Sequence, residues 1–419
     1  MIQAVASVFS AGAPSRGLSR IDSGTVLAAL TCILLFLALN PFLALLVLAL
    51  VNFFRRIPTA VFIVSASISF TLFFYFRDYG IDWYFNSSDD VPTYISIYRQ
   101  NYSFGFVDLF TNFIEAPNGN EILWHLPWWA LLKAFDASDD TFVFLHYLLL
   151  FTCLFLALHA LSPRLLVPFA LVYFLLTPIS LDAMAHIWRQ QLAFLVFLSG
   201  AGLHIVRGSR AGKWLVCASV LIHVSFVLFV ALFWIYELIR RRHGFDNKLK
   251  VSLFLCAVLA IVPAVSKVAI FFLDSIGLAR VMSYFEGTDA DITRVYLITA
   301  LYIVPMLLSF YLFKVDALNQ LFLVLCFAVF SIVLALPGSN SIYDRLFMSV
   351  LPLWGLFLFR TLLANFPPGW YFAAILVSFT VGVIRLHSPT EQGEGIGAFL
   401  AFGHAFDPFM GAAKMLITL

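Results

Sequence analysis

The sequence predicts an all-α, polytopic membrane protein, and three observations predict it. Apolar residues make up 62% of the chain and charged residues only 11%, against about a quarter charged in a soluble domain. Apolar runs of helical span length recur from one end to the other, a pattern that the short alternating strands of a barrel do not give. The loops between them separate into basic and acidic sets. We expect about 11–12 membrane segments, one of them a short re-entrant-like hairpin, in a single integral membrane domain over residues 1–419.

Taken in order, Gly24–Phe54 is apolar with a break at Asn40-Pro41. It is too long for one upright span and too short for two, so it is either one tilted span or a hairpin. Arg55-Arg56 follows, then a span over Ile57–Phe76. Residues 77–140 form the one long polar loop, rich in carboxylates such as Asp78, Asp89, Asp90, Glu115, Glu121 and Asp140. Within it Phe106, Leu109, Phe110, Phe113 and Ile114 repeat at helical spacing, which predicts an amphipathic helix along the interface. Trp124, Trp128 and Trp129 fit an aromatic belt at the membrane surface.

Thr141–Leu161, Leu165–Ser180 and His186–Val206 are the next three spans. Trp214–Ile239 has basic residues at both ends, Lys213 and Arg240-Arg241-Arg242, so both ends belong on one side. Residues 214–239 are therefore expected to fold as a hairpin with His223-Val224-Ser225 at its tip. Each arm would be about 13 residues, or roughly 20 Å, which leaves the tip in a recess. Further spans follow over Val251–Leu273, Val295–Phe313, Ala317–Leu336, Leu346–Phe359 and Trp370–Ile384, and residues 385–419 form an extracytoplasmic, weakly amphipathic tail.

Charge placement sets the orientation. Arg55, Arg56, Arg164, Arg207, Arg210, Lys213, Arg240, Arg241, Arg242, Lys248, Lys250, Lys314 and Arg360 fall in the loops read as cytoplasmic, against Glu237, Asp246 and Asp316. The cysteines Cys32, Cys153, Cys217, Cys256 and Cys326 all lie within apolar runs, without metal spacing, so neither disulfides nor zinc is expected. Met1–Arg20 is too weakly apolar for a cleavable signal.

Few polar groups remain at the opposite, outer ends. Arg189, Gln190 and Gln191 stand at the mouth of the apolar run Ala193–Val206. An arginine costs about 2.5–3.5 kcal/mol at the centre of an inserted helix, and spanning a bilayer does not require one. Arg280, Arg294 and Arg345 also fall at outer ends of spans. Guanidinium forks suit phosphate oxygens, and several in one recess would hold a diphosphate; the ordinary alternative is snorkelling or ion pairing. His223, with Ser225 two residues on, would orient a diphosphate or act as a base if it is not simply a satisfied buried histidine. Asp90 and Tyr94 share a helix face if a helix begins there, and Glu121 follows a turn at Pro117-Asn118-Gly119. Either carboxylate would serve as a base for a sugar hydroxyl, the alternatives being a helix cap or a solvated loop acid.

Signatures for other chemistries are missing: there is no Walker A sequence, no dinucleotide glycine fingerprint, no HExxH and no nucleophile elbow. The cytoplasmic loops are short, so a nucleotide-dependent reaction has no evident place there.

Five short motifs in order resemble those of the EpsG-type proteins, Wzy-like polymerases of bacterial exopolysaccharide and O-antigen. They are Asp90-Val91-Pro92-Thr93-Tyr94, Arg189-Gln190-Gln191-Leu192-Ala193, His223-Val224-Ser225, Arg280-Val281-Met282-Ser283-Tyr284 and Asp344-Arg345-Leu346. The match departs at Val91-Pro92, where the family often has an aromatic residue, and is loose over Glu115–Trp129. The resemblance implies a GT-C-like, inverting glycosyltransferase in the bacterial inner membrane, with its site facing the periplasm. Donor and acceptor would be undecaprenyl-diphosphate-linked oligosaccharides. Catalytic residues would come from Asp90, Glu121 and His223, and substrate would be held by Arg189, Gln190, Arg280, Tyr284, Arg294, Arg345 and Tyr94. No cofactor, metal or nucleic acid is implied; a flippase and a chain-length regulator of the same pathway are the implied protein partners. A ligase or single-sugar transferase on the same carriers, or a flippase, are the rival readings. Transporters usually bind at the bilayer midplane on broken helices, often with repeats. Here no inverted repeat is found and the polar groups collect at one face, which favours an enzyme.

Overall fold

The computed structural model describes residues 23–54, 56–78, 91–101, 105–106, 122–175, 184, 187–243, 248–275, 292–335, 340–367 and 369–386. Among them every regular element is helical. The helices are α1 Ser23–Ala38, α2 Pro41–Phe54, α3 Thr59–Asp78, α4 Val91–Asn101, α5 Ile122–Phe135, α6 Asp139–Leu161, α7 Leu166–Leu175 and α8 Trp188–Ile205. They continue as α9 Ala211–Ile222, a 3-10 turn at Val224–Phe226, α10 Val227–His243, α11 Lys248–Ser275, α12 Ile292–Leu312, α13 Ala317–Ala335, α14 Asn340–Asn365 and α15 Gly369–Leu386.

The chain is a helical bundle consistent with the polytopic class. On length and composition, α6 and the stretch Ala317–Leu334 of α13 suffice to cross a membrane, and the other apolar stretches among the described residues are shorter. The periphery is apolar as well. Leu27, Leu30, Leu34 and Leu37 are exposed along one side of α1, and Leu301, Val304, Leu308 and Leu312 along one side of α12. Contiguous apolar surface of this extent suits contact with lipid rather than water.

Local chemistry sets the breaks. The first apolar run divides at Asn40, whose Oδ1 accepts from the Phe42 N–H at 3.0 Å while Pro41 takes the first helical position. The two halves then pack differently, α1 against α3 and α2 against α7. Ser138 caps α6 by accepting from the Thr141 N–H at 3.2 Å, with Asp139 and Asp140 in the first turn. At its other end, Arg207 donates to the His159 carbonyl at 2.9 Å and Arg360 to that of Leu161 at 3.1 Å. Both place a cation where the helix dipole favours one.

α6 is the hub, packed against α3 and α8, and α13 is a second one, packed against α11 and α14. Residues 321–333 of α13 are buried throughout, as an all-round apolar helix requires. α8 and α9 form the tightest pair. α8 ends in a glycine turn, with Ser209 N–H bonded to Leu203 O, Gly208 N–H to His204 O, and Gly208 at φ +66°. The two helices then meet backbone to backbone. A Cβ on Gly200 would stand 2.6 Å from Gly212 O, and one on Gly212 would stand 2.5 Å from Gly200 O. Gly202 does the same for α6, where a Cβ would lie 2.9 Å from the Ala160 carbonyl carbon. Small residues let membrane helices approach this closely.

One end of the bundle is basic. His204 meets Glu237 at 2.9 Å, and Glu237 also accepts from Arg240 and Arg241. Arg360 pairs with Asp316, and the Tyr236 hydroxyl donates to Ala317 O at 2.7 Å. These contacts gather the ends of α6, α8, α10, α13 and α14 on one side.

The structure corrects three expectations. Trp124 and Trp128 are buried on α5 among α4, α6 and α8 rather than ranged in a surface belt; their flat rings fill the space between helices. α14 begins at Asn340, so Asp344 and Arg345 lie inside the helix instead of preceding it; the nearest breakers are Pro337-Gly338. The hairpin arms are unequal, 12 residues in α9 and 17 in α10. Arg240 and Arg241 extend α10 because Glu237, three and four residues earlier, pairs with both. The remainder of the expected amphipathic helix beyond Phe106 and nearly all of the 385–419 tail lie outside the described residues.

Candidate functional site

The N-terminal end of α8 sits in an aromatic housing. α4 begins at Val91, directly after Asp90, and carries Tyr94 inward. The Tyr94 ring stacks on Trp188 at 5.4 Å and meets Trp124 of α5 at 5.4 Å. From α6, His146 stacks on Trp188 at 4.4 Å and Tyr147 packs edge-on at 5.1 Å. α4 and α6 thus converge on Trp188, with α5 joined to them through Trp124, and this packing fixes the first turn of α8.

Arg189 follows Trp188 and lies half-buried against this housing. Its guanidinium carbon stands 5.2 Å from the Tyr94 ring centroid and 5.6 Å from that of Trp124. Both are within the range of a cation–π contact, worth up to about 2 kcal/mol when desolvated. The guanidinium is a planar fork of donors, with its Nε buried. A planar fork pre-positioned in this way suits a phosphate or diphosphate. Gln190 and Gln191 are both buried, and Gln191 Oε1 accepts from the Tyr173 hydroxyl of α7 at 3.5 Å.

α4 is held in place from outside the housing. Tyr98 stacks on Phe142 at 4.3 Å and donates to Ala137 O at 2.9 Å, and Arg99 donates to Asp139 from Nε at 2.8 Å. Burial, with the Asp139 and Asp136 carboxylates nearby, pushes the Tyr98 phenol up to about 12.

The second part of the site is the hairpin tip. His223 adopts an extended backbone (φ −151°, ψ 120°) that ends α9, and its Nδ1 accepts from the Ser225 N–H at 3.4 Å with the Ser225 hydroxyl at 3.3 Å. The imidazole thereby caps the 3-10 turn, which explains a serine two residues after the histidine. With Nδ1 accepting, the neutral ring carries its proton on Nε2. His223 is then disposed to donate to an oxygen rather than to take a proton from one. α10 runs back along α8: Phe226, Phe229 and Phe233 all lie near Phe197, and Glu237 near His204. Continuing the Gly200–Gly212 register along α9 brings His223 within about one helical turn, about 5 Å, of the level of Arg189 along α8. α5, which carries Trp124, also packs on α9, so the housing and the hairpin share a wall.

Arg294 and Arg345 lie near the starts of α12 and α14, and both helices run from there towards the basic end. Their backbones therefore stand at the end of the bundle that also holds Arg189; their side chains are outside the described set. Asp90, Glu121, Arg280 and Tyr284 lie outside the described residues. Among the described residues no group of three or more His, Cys, Asp or Glu side chains is disposed to hold a metal ion. Sequence reasoning missed Trp188, Trp124 and His146. His146 is fully buried, and neither its ring nitrogens nor Trp124 Nε1 meets a hydrogen-bond partner among the described residues. The available signal was the adjacency of Trp188 to Arg189.

These features define a helical membrane protein with a half-buried arginine presented on aromatic rings at one end of its bundle. A family model described as the EpsG family matches residues 67–384, about three quarters of the sequence, a range within which all five motifs fall. The chain belongs to the EpsG family. No curated protein and no solved structure matches it. Family membership points to polysaccharide biosynthesis in a membrane and to a polymerase of the Wzy type.

Proposed function

We propose that the protein polymerises undecaprenyl-diphosphate-linked oligosaccharide repeats at the outer face of the bacterial inner membrane, by inverting glycosyl transfer on a GT-C-like scaffold. The observation that carries this reading is the contact between Arg189 and Tyr94. It joins two motifs that are far apart in the chain and presents a phosphate-binding fork at a helix start. Positive-inside reasoning assigns the basic end to the cytoplasm and the Arg189 end to the outside.

In the reaction, a hydroxyl of the incoming lipid-linked repeat attacks the anomeric carbon of the growing chain. The bond to the lipid diphosphate breaks, and configuration inverts. Arg189, Arg280, Arg294 and Arg345 neutralise the departing diphosphate, with Gln190 and Tyr284 as further contacts. Asp90 or Glu121 takes the hydroxyl proton. His223 donates from Nε2 to a substrate oxygen, and Tyr94 holds Arg189 in place. The oligosaccharide hangs outside while its polyprenyl chain stays in the bilayer, so the substrate enters sideways. A flippase delivering the repeat and a chain-length regulator are the partners that such a reaction needs.

The test is to combine purified protein with lipid-linked repeat units and resolve the products by size. A ladder of longer glycans is expected, and Arg189→Ala should lower its rate by about 10²–10³-fold, the usual effect of removing one charge-stabilising donor. Absence of any ladder, with lipid-linked repeats crossing vesicle membranes instead, overturns the reading in favour of a flippase.

A further inference from the structure

At the basic end, remote from Arg189, an open cavity of about 420 Å³ lies between α11, α12, α13 and α14. Lys248 and Lys314, the amides Gln320 and Asn365, and the apolar Phe310 and Leu312 are among its lining residues. Among the described residues no carboxylate lines it, and Asp316, two residues past Lys314, is engaged by Arg360. Asn365 fixes the loop: its Oδ1 accepts from the Lys314 N–H at 3.0 Å and its Nδ2 donates to the Lys314 carbonyl at 3.0 Å. Lys248 donates to Tyr311 O at 2.5 Å, which holds its ammonium at the rim. An ammonium has three donors, and this bond uses one of them.

An apolar track leads out of the cavity. Leu312 stands at its edge, and Leu308, Val304 and Leu301 continue along the same face of α12 at spacings of three and four residues, all exposed. From Leu312 to Leu301 the track runs about 16 Å. A doubly cationic, amide-bearing cavity that opens onto an apolar track of that length matches one kind of ligand. We infer that this cavity binds a membrane lipid with an anionic phosphate headgroup, the phosphate held by Lys248 and Lys314 and one acyl chain laid along α12. Basic cavities between membrane helices on the cytoplasmic side are suited to such headgroups. The site is separate from the candidate active site, since Lys314 lies about 30 Å from Arg294 along the α12 axis.

The experiment uses the full chain in neutral detergent and reads its Tm. It is titrated with dilauroyl phosphatidylglycerol, dilauroyl phosphatidylcholine, and glycerol phosphate as a headgroup without chains. The first should raise Tm saturably, while the other two leave it unchanged at equal concentration. Lys248→Gln with Lys314→Gln, both at exposed positions, should weaken the phosphatidylglycerol effect about twentyfold or more, the effect of two juxtamembrane basic residues. Lys248→Arg with Lys314→Arg should retain it. Leu308→Gln with Leu312→Gln should weaken it with the lysines intact, a test that holds even if the first double variant is unstable. Equal shifts in wild type and both glutamine double variants, or equal shifts from phosphatidylcholine, overturn the proposal. A full effect from glycerol phosphate alone reduces the cavity to a free-phosphate site and overturns the lipid assignment.

Discussion

Arg189 gains its geometry from two rings, and the two can be tested separately. Tyr94→Phe keeps the platform and should leave polymerisation within a few-fold of wild type. Tyr94→Ala removes one face of the cation–π contact and should lower the rate by about tenfold, in line with a loss of 1–2 kcal/mol. Arg189→Lys keeps the charge but loses the flat fork, so it should resemble Arg189→Ala more than wild type. Each is read as the initial rate of ladder formation, with Tm as a control for folding. At the tip, Ser225→Ala preserves the backbone N–H that bonds to His223 Nδ1, whereas His223→Ala removes the cap entirely. The first should therefore be mild and the second severe. Arg189 and His223 were legible in the sequence because a polar group in an apolar run is costly. Trp124, Trp188 and His146 were not, because aromatic residues in such a chain fit a surface belt or a core equally well, and only packing decides between them.

Among elements, the α8–α9 pair sets the position of the tip. Gly200→Ala or Gly212→Ala would drive a methyl group into backbone atoms 2.5–2.7 Å away, where no side chain can yield. Each should cost about 1–3 kcal/mol or more and lower Tm, because overpacking here forces the helices apart. Activity should fall further than stability, since the displacement is passed along α9 to His223. α4 offers a pH test. An ordinary phenol titrates near 10, while Tyr98 in the folded protein stands at about 12. Between these values the folded state keeps a proton that the unfolded state has lost, so the stability of the α4 attachment falls as pH rises from about 10 to about 12. Tyr98→Phe should remove that dependence, measured as Tm against pH, and should cost about 1 kcal/mol below pH 10 through the lost bond to Ala137 O. The breaks at Asn40-Pro41 and His223 were readable, because a cap and a proline or a polar island announce them. α5 was not, because Ile122–Phe135 combines tryptophans with an internal Pro127 and lacks an amphipathic period.

At the scale of the molecule, two ends of unlike character are separated by the length of the helices. The sequence announced this through the positions of its basic residues, and the contacts of Arg207, Arg240, Arg241 and Arg360 bring several of those positions together. What the sequence could not supply was which helices are neighbours. The placement of α4 against α8, on which the Arg189 housing depends, is a long-range packing choice with no local signature. Arg360 joins three helices at the basic end through Asp316, Asn319 and the Leu161 carbonyl. Arg360→Ala should therefore lower Tm by more than an exposed arginine would, while leaving the order of activities among the Arg189 variants unchanged.

The shortness of α9 bears on the solvent as much as on the protein. Twelve residues rise about 18 Å, and a typical hydrocarbon layer is about 30 Å deep. A polar histidine tethered at that depth favours a bilayer that dips to meet it, and the strain of the dip grows with acyl chain length. Reconstitution into vesicles of graded thickness should therefore act as a rheostat, with turnover highest in the thinnest bilayers that still support folding and declining as the lipid tails lengthen.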